Sequence, residues 1–189
     1  MVRLERVATD PDRQDVEAAR RGDLRAAERL YRRHQARVVN LARMMIGSQR
    51  DAEDICQETF VKALQGIDRF RGEASFATWL CRIAVNQARS QLASRRSRLR
   101  MVAAATQDQT PPRQRPLAEL RVALARAVAF LSEGQREVLI CHDVLGMKHE
   151  EIAFVLSCAP GTSKAQLHRA RARMRELLTE EQHDDRRQA

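Results

Sequence analysis

The chain has 189 residues, enough for one ordinary domain or two small ones, and its 34 Lys and Arg outnumber 25 Asp and Glu to give a formal net charge of +9. This charge favours a polyanionic partner, and nucleic acid is the first candidate. The sequence has no apolar run of about 18 residues and no signal-like start, which argues against a membrane span or secretion, so we expect a cytoplasmic protein.

Three amphipathic helices are predicted in the first half of the chain. Apolar residues recur every three or four positions from Leu24 to Met45, and Gly47 is placed to cap that helix. A second helix is expected from about Asp51 to Gly66, and Ser75 can cap a third that continues to about Arg98. The pattern predicts an N-terminal tail at residues 1–17 and a helical domain at 18–99.

The stretch "MVAAATQDQTPPRQRP" interrupts this pattern with three prolines, small residues and amides. Such a composition buries too little apolar surface to order itself, which predicts a flexible interdomain linker at residues 100–116. A further apolar stripe follows from Leu117 to Leu131. Ser132 and Gln135 then have the spacing of a capping box that opens a helix to about Val144.

The segment "MKHEEIAFVLSCAPGTSKAQLHRARARMREL" is typical of a helix-turn-helix, with a short apolar helix, a turn containing glycine and a basic helix. We expect the short helix at Glu150 to Leu156, and a final helix capped by Thr162 that ends near Leu178. The second domain is thus predicted at residues 117–180, before a C-terminal tail at 181–189. The fold class is all-α, with two small helical domains joined by a flexible linker.

One face of the final helix combines small and long basic side chains. At 100° per residue, Ala165, His168 and Arg169 fall opposite the apolar positions that include Leu167, and Lys164 and Arg173 flank them. Such a face can approach a major groove, where Arg pairs with guanine and Lys with phosphate. The alternative is a solvated face of a structural helix.

Three of the chain's seven aromatic residues, Phe70, Phe76 and Trp79, lie in "FRGEASFATWLCRIAVN", from Phe70 to Asn86. Phe76 and Trp79 are interpreted as packing residues, because aromatics at helical spacing more often belong to a core than to a base-stacking surface. The opposite side of the same helix has a basic track with one amide, which is suited to phosphates and a base edge. This set is Arg82, Asn86, Arg89 and Arg96.

No catalytic residue, metal or cofactor is predicted. The four cysteines have no CxxC spacing and are expected to be buried, although redox or metal sensing stays an alternative for Cys56 and Cys81. His142 and His149 could be assembled into a metal site, but a histidine pair on helices is more often structural. Neither HExxH nor a P-loop is present.

The chain resembles a bacterial extracytoplasmic-function (ECF) sigma factor from about Asp23 to Leu178. The resemblance lies in the order of "DAEDICQETFVKAL", "FRGEASFATWLCRIAVNQAR", the proline-containing linker, "LSEGQREVL", "HEEIAFVL" and "GTSKAQLHRARARMREL". It implies a factor that binds core RNA polymerase, recognises the minus 35 and minus 10 promoter elements and promotes strand opening. It also implies an anti-sigma protein that holds the factor inactive.

The resemblance assigns three sets of site residues. The polymerase-binding set is Asp51, Asp54, Gln57 and Glu58. The minus 10 set, which includes a loop for an extruded base, is Phe70, Arg71, Gly72, Glu73, Ser75, Arg82, Asn86, Arg89 and Arg96. The minus 35 set is Thr162, Lys164, Ala165, His168, Arg169 and Arg173.

The sequence departs from the family pattern in the second domain. Ala165 and Gln166 replace a frequent serine and arginine, Ser163 stands where an apolar anchor is usual, and Pro160 lies one position late in the turn. These departures bear on the promoter sequence rather than on the fold. The rival interpretation is a stand-alone helix-turn-helix regulator of duplex DNA, but that leaves the acidic helix at Asp51 and the loop at Phe70 unexplained.

Overall fold

The structure is a computed structural model that describes residues 10–102, 124 and 126–188. Those residues are helical or lie in turns, with no strand among them, which confirms the all-α class. In this part of the chain no helix combines the length and the apolar character that crossing a bilayer requires.

The first domain begins with α1 (Arg13–Arg20) and α2 (Leu24–Ile46), followed by α3 (Gln49–Gln65), a 3-10 turn (Ile67–Arg69) and α4 (Phe76–Val102). The Asp23 carboxylate caps α2 by accepting the N–H of Arg25 at 2.9 Å. Gly47 ends α2 as predicted, with a left-handed φ of 81° that glycine adopts without strain.

The second domain has a helical stretch at residues 126–129, then α5 (Glu133–Leu139), which continues as a π-helical turn (Ile140–Val144). The helix-turn-helix follows as α6 (His149–Leu156) and α7 (Pro160–Gln188). The predicted capping contact opens α5, since the N–H of Ser132 donates to Oε1 of Gln135 at 3.2 Å.

Several predicted boundaries were wrong. Helix α3 is capped by Ser48, whose Oγ accepts the N–H of Asp51 at 3.3 Å. Helix α7 begins at Pro160 rather than Thr162, because proline suits the first helical position, where no N–H is needed. Helices α4 and α7 both extend beyond their predicted ends. Residues 100–102 of the predicted linker continue α4, and 103–116 lie outside the described residues.

Helix α1 was missed, because most of it was assigned to the N-terminal tail. It buries Val16 but is held mainly by ion pairs to α2. The buried Asp12 carboxylate before α1 bonds to Arg33 and to Nε2 of His34, the latter at 2.7 Å, and Asp15 accepts from Nε of Arg29 at 2.8 Å. We call these contacts the α1–α2 ion pairs. Because α1 spans two turns and buries one apolar side chain, Val16, it lacks the long apolar stripe by which the other helices were predicted.

Apolar side chains from α2, α3 and α4 form the core of the first domain. Its fully buried members include Leu30, Leu41, Ile55, Phe76 and Leu80. In the second domain Ile152 and Val155 of α6 pack with Leu167 of α7. These residues belong to the same apolar cluster as the core of the first domain. Each such side chain contributes about 1.5–3 kcal/mol on burial. The packing sets α4 and α7 in position.

Candidate polymerase and nucleic-acid interfaces

The outer face of α3 is acidic and exposed. Asp54, Gln57 and Glu58 are all exposed, whereas Asp51 is half-buried in the first turn. Glu58 pairs with Lys62 at 3.0 Å, and hydrogen bonds from Lys62 and then Gln87 lower the pKa of its carboxyl. Glu58 is therefore ionised at neutral pH.

The same face continues into two exposed apolar residues that the sequence analysis missed. Val61 is 53% exposed and Leu64 is 39% exposed, one and two turns beyond Gln57. An apolar patch flanked by acids is typical of a protein-binding surface rather than a DNA-binding one. The sequence did contain a signal, because these two apolar residues fall on the polar side of an otherwise amphipathic helix.

A loop connects the 3-10 turn to α4 and is fixed at both ends. Gly72 within it has a φ of 69°, a conformation that favours glycine. At its C-terminal end the Ser75 hydroxyl caps α4 by accepting the N–H of Thr78 at 3.1 Å, as predicted. The carboxylate of Asp10 accepts the N–H of Phe76 at 2.7 Å.

The N-terminal end of this loop is held by Arg20 of α1. Its Nε donates to the carbonyl of Ile67 at 3.1 Å and its Nη2 donates to the carbonyl of Phe70. Arg20 of α1 and Asp10, which precedes α1, therefore hold the two ends of the loop, although neither was among the predicted site residues. Both contacts join residues far apart in sequence, so no local pattern indicates them.

Aromatic packing supports the loop from beneath. Phe76 is buried and lies edge-on to Phe70, with ring centroids 5.8 Å apart, and Trp79 lies 5.2 Å from Phe70. The predicted packing role is confirmed for Phe76, which is buried, and in part for Trp79, which packs against the core. Trp79 is only partly buried, since its other side borders a cavity.

That cavity has a volume of about 340 Å³ and lies between the loop and α4. Its walls bring together Phe70, Arg71 and Glu73 of the loop with Arg82 and Asn86 of α4, all of them predicted minus 10 residues. One wall comes from the second domain, because Phe154 of α6 also lines it. The structure thus assembles the predicted loop and helix residues around one concave surface.

We call Arg82, Asn86, Arg89 and Arg96 the α4 basic track, and three of these residues contact the second domain. Arg89 forms two hydrogen bonds of 2.6 Å with the carboxylate of Glu137, which raises the pKa of Arg89. Arg96 pairs with Glu133 at 3.3 Å. The guanidinium of Arg82 lies 4.9 Å from the centre of the Phe154 ring and donates to Ser157 at 3.3 Å. Asn86 stays exposed.

The basic face of α7 is different, because all six predicted minus 35 residues are exposed. They are Thr162, Lys164, Ala165, His168, Arg169 and Arg173. Leu167 and Ala170 are buried on the opposite side, as the helical arithmetic requires. The contacts of this face are local: Arg169 donates to the carbonyl of Ala165 at 3.3 Å and Arg173 pairs with Glu176 at 2.9 Å.

Ser163 explains one departure from the family pattern. It is fully buried, and its hydroxyl bonds to Nδ1 of His149 at 2.9 Å, so a polar pair replaces an apolar anchor. The His149 ring lies 5.0 Å from that of His142, and burial, followed by the charge of nearby cations, lowers the pKa of His149. In the described part of the chain, no three His, Cys, Asp or Glu residues form a metal-ligand group.

The cysteines are free thiols. Cys56, Cys81 and Cys141 are buried and Cys158 is partly exposed. Burial raises the pKa of Cys56 to about 11 and that of Cys141 to about 12. A thiol that stays protonated at neutral pH is a poor nucleophile, so these buried groups behave as small core residues.

Comparison with known proteins matches both halves of the chain. Residues 30–98 match the family model of Sigma-70 region 2, and residues 121–174 match that of Sigma-70, region 4. The RNA polymerase sigma-H factor of Pseudomonas aeruginosa is 30% identical over 175 residues, covering 86% of this chain and 91% of that protein. The ECF RNA polymerase sigma-E factor of Escherichia coli K12 is 32% identical over 169 residues, with coverages of 82% and 88%.

Solved structures agree with this assignment. The structure of CnrH in complex with the cytosolic domain of CnrY has a TM-score of 0.69 and 30% identity, covering 89% of this chain and 97% of that chain. The sigma factor RpoE in complex with the anti-sigma factor NepR, from Bartonella quintana, has a TM-score of 0.68 and 26% identity, with coverages of 80% and 96%.

A helical region 2 followed by a helix-turn-helix region 4 defines a sigma-70-type transcription initiation factor. The chain belongs to the ECF group of RNA polymerase sigma factors, as its resemblance predicted. It binds core RNA polymerase and recognises promoter DNA. Below, region 2 means α1–α4 and region 4 means the described residues 126–188.

Proposed function

We propose that region 2 holds the minus 10 strand in the cavity between its loop and α4. The observation that carries this assignment is the cavity of about 340 Å³ whose walls combine Arg71, Arg82 and Asn86 with the edge of Trp79. Cations there meet the phosphates, and the amide hydrogen-bonds a base edge. A bound base recovers the few kcal/mol that its extrusion from the duplex costs.

The outer face of α3 docks on the polymerase. Asp54, Gln57 and Glu58 provide the polar part of this surface, and Val61 and Leu64 provide an apolar part. Acidic groups repel DNA, which directs this face to a protein partner. Asp51 contributes less, because it is half-buried in the first turn of α3.

The exposed face of α7 binds the minus 35 element. Lys164, Arg169 and Arg173 reach phosphates and base edges, while Ala165 and Thr162 allow the helix to approach closely. His168 lies at the centre of the face. Ala165 cannot hydrogen-bond a base, so the specificity of this face rests on its neighbours.

The chain acts in the cytoplasm as a non-enzymatic factor under control of an anti-sigma protein. The similar structures of CnrH with CnrY and of RpoE with NepR support this regulation. The sequence predicted bounds of 18–99 for the first domain and 117–180 for the second, with the linker at 100–116. For region 2 we propose residues 13–102 instead, because α1 begins at Arg13 and α4 ends at Val102. Helix α1 extends the functional region 2 toward residue 10.

In vitro transcription with core RNA polymerase, with and without the chain, tests the function. We expect specific start sites only when the chain is present. Identical transcripts in both reactions would contradict the sigma function, and tight operator binding by the isolated chain would favour the stand-alone regulator.

Asn86→Ala tests the minus 10 assignment. We expect slower open-complex formation, because the exposed amide at the cavity edge is lost while the fold is preserved. Ser90→Ala, at another exposed position of α4, is the matched control. Equal rates for both variants on a cognate promoter would exclude Asn86 from the minus 10 surface.

A further inference from the structure

Helix α7, the proposed recognition helix, is held from behind by a polar contact. Ser163 lies in its first turn and is fully buried, and the Ser163 hydroxyl bonds at 2.9 Å to Nδ1 of His149, the first residue of α6. At 100° per residue, Ser163 falls on the same side of α7 as the buried Leu167 and Ala170. This serine–histidine contact therefore ties α6 to the side of α7 that faces away from its basic face.

A second polar contact holds α7 further along its length. Asp143 of the π-helical turn accepts from Nε of Arg171 at 3.0 Å and bonds to Nδ1 of His142 at 2.7 Å. The His142 ring lies 5.0 Å from that of His149, with 31° between the ring planes, so the two contacts join into one group. We call these five residues, with Ser163, the histidine cluster. It holds α7 at two points that are about 12 Å apart at 1.5 Å per residue.

The serine–histidine contact lies beside residues that face DNA. Thr162 and Lys164, the two neighbours of Ser163, are exposed members of the minus 35 set. Because a helical turn moves as a unit, a shift of Ser163 displaces both of these side chains from the groove. A binding surface needs its residues held to within about 0.5 Å, so the contact behind the helix bears on the surface in front of it.

The surroundings of His149 disfavour a positive charge on its ring. The ring stands at the first position of α6, where the helix dipole opposes a cation. The titratable groups around it are mostly basic: His142 on the π-helical turn, Lys164 and Arg171 on α7, and the acids Glu150 and Asp143, the last already paired with Arg171. Partial burial, and then the nearby cations, lower the pKa of His149 below its ordinary value of 6.5.

We propose that the serine–histidine contact positions the recognition helix, and that minus 35 binding requires His149 to be neutral. This inference rests on the proposed minus 35 role of α7. A protonated ring is repelled by Lys164 and Arg171 and moves toward water, which leaves the buried Ser163 hydroxyl without its partner. Because an unpaired buried hydroxyl is costly, the first turn of α7 shifts until that group finds another.

The direction of the pH effect follows from linkage. The unfolded chain takes up a proton on His149 at a higher pH than the folded chain does, because folding lowers the pKa of this ring. The stability of region 4 therefore decreases as the pH falls from 6.5 toward the lower folded pKa. Acid acts in the opposite direction at the exposed His168, since a proton there adds a charge that attracts phosphates. A loss of promoter binding in acid thus cannot come from His168.

Two variants separate the positioning contact from the charge. Ser163→Ala removes the hydroxyl with little change in volume. His149→Asn keeps a polar atom near the place of Nδ1 but takes up no proton. Ser90→Ala, at an exposed position of α4, is the matched serine control. Lys164→Ala reports separately whether α7 binds DNA.

Fluorescence anisotropy of the holoenzyme, formed from the full chain and core polymerase, measures binding at pH 7.5 and 6.0. The probe is a labelled promoter fragment that the wild-type holoenzyme has selected from a randomised pool at pH 7.5. We expect Ser163→Ala to bind it about fivefold more weakly than the wild type at pH 7.5, as for one lost hydrogen bond. Between the two pH values, the wild type should lose about fivefold more affinity than His149→Asn, since one pKa unit of linkage corresponds to tenfold.

A nuclear magnetic resonance titration of the full-length free chain gives a second measurement that needs no change at His149. The imidazole ¹⁵N resonance that moves in Ser163→Ala identifies His149, and we expect that ring to take up its proton below pH 6.5. Circular dichroism at both pH values checks that each variant is folded.

Each contrary outcome overturns a different claim. If Lys164→Ala binds as tightly as the wild type, the minus 35 role of α7 fails. If Lys164→Ala weakens binding but Ser163→Ala matches Ser90→Ala, the serine–histidine contact does not position the helix. If His149→Asn loses as much affinity at pH 6.0 as the wild type, or if His149 takes up its proton at or above pH 6.5, acid does not act through His149.

Discussion

The two proposed DNA surfaces of the molecule are built on different principles. The minus 35 surface is one exposed helical face, and its residues depend only on the register of α7. The minus 10 surface is concave, and its loop depends on contacts from α1, from the aromatic core and from the α4 cap. A helix displays a reading surface by itself, whereas a loop that receives a base needs other elements to fix its shape.

The largest expected effect comes from removing the aromatic support of the loop. Phe76→Ala should lower the free energy of unfolding by about 3–5 kcal/mol, because it leaves a cavity in a fully buried site. Urea denaturation followed by circular dichroism measures it. Phe130→Ala is the control, since that ring is 72% exposed and its loss should change stability by less than about 0.5 kcal/mol. Similar losses of unfolding free energy in both variants would contradict the view that the loop depends on buried aromatic support.

The α1–α2 ion pairs should give region 2 a specific acid sensitivity. Burial alone would raise the pKa of Asp12, but hydrogen bonds from His34 and Arg33 hold it below its ordinary value of 3.8. This stabilisation is therefore complete above that value and is lost as the pH falls through the folded pKa.

Asp12→Asn should lower the free energy of unfolding by about 2 kcal/mol at pH 7, because hydrogen bonds to a charged group are lost. It should also flatten the decline of stability below about pH 4, where the wild-type carboxylate becomes protonated. Thermal unfolding at a series of pH values measures both effects. The exposed Asp68 provides the control variant Asp68→Asn, which should keep the wild-type profile. An unchanged acid profile in Asp12→Asn would show that α1 is not held by this charge.

Arg20→Ala should impair the loop with a smaller effect on the fold. Two carbonyls, those of Ile67 and Phe70, lose their donor, so we expect open-complex formation to slow by about tenfold, equivalent to one hydrogen bond of about 1.4 kcal/mol. Binding to core polymerase should stay unchanged. The neighbouring Arg21 is exposed, and Arg21→Ala should behave as wild type in a promoter-opening assay. If binding to core polymerase falls in parallel with promoter opening, Arg20 does not act through the loop alone.

The smallest effect is expected on the minus 35 surface. Lys164→Ala should weaken binding to all promoters by a similar factor and reduce the slope of log affinity against log salt by about 1, because one phosphate contact is lost. Its stability should equal that of the wild type, since the side chain is exposed. Titrations of the polymerase holoenzyme at several salt concentrations measure the slope. A change in base preference would instead assign Lys164 to a base edge.

Helix caps and helix faces were easier to predict from the sequence than the long-range contacts that hold the helices and the loop in place. Local spacing predicted the caps at Gly47, Ser75 and Ser132 and the two faces of α7, and the structure places them as expected. It also placed the α4 basic track on one side of its helix, but the DNA-binding role of that track stays a prediction. Local spacing is sufficient there because one helix determines each pattern.

What the sequence could not predict depends on long-range contacts. Helix α1 has only eight residues and buries one apolar side chain, Val16, so it lacks a long apolar stripe, and its ion pairs to α2 cannot be seen in the sequence. Arg20 contacts carbonyls about 50 residues away. The pairing of Arg89 with Glu137 joins two regions across the linker. A basic helix face has the same spacing whether it meets phosphates or carboxylates, and only the tertiary structure separates the two.

The shared use of Arg89 limits how this factor can change during evolution or engineering. A substitution that altered promoter preference at this position would also remove the partner of a nearly inaccessible carboxylate on region 4. Such a variant would leave the Glu137 carboxylate without its cation, unless Glu137 changed in the same step. Transferring the factor into a synthetic gene circuit with new promoters therefore calls for redesigning α4 and α5 as a pair, with the stability of the variant measured beside target expression.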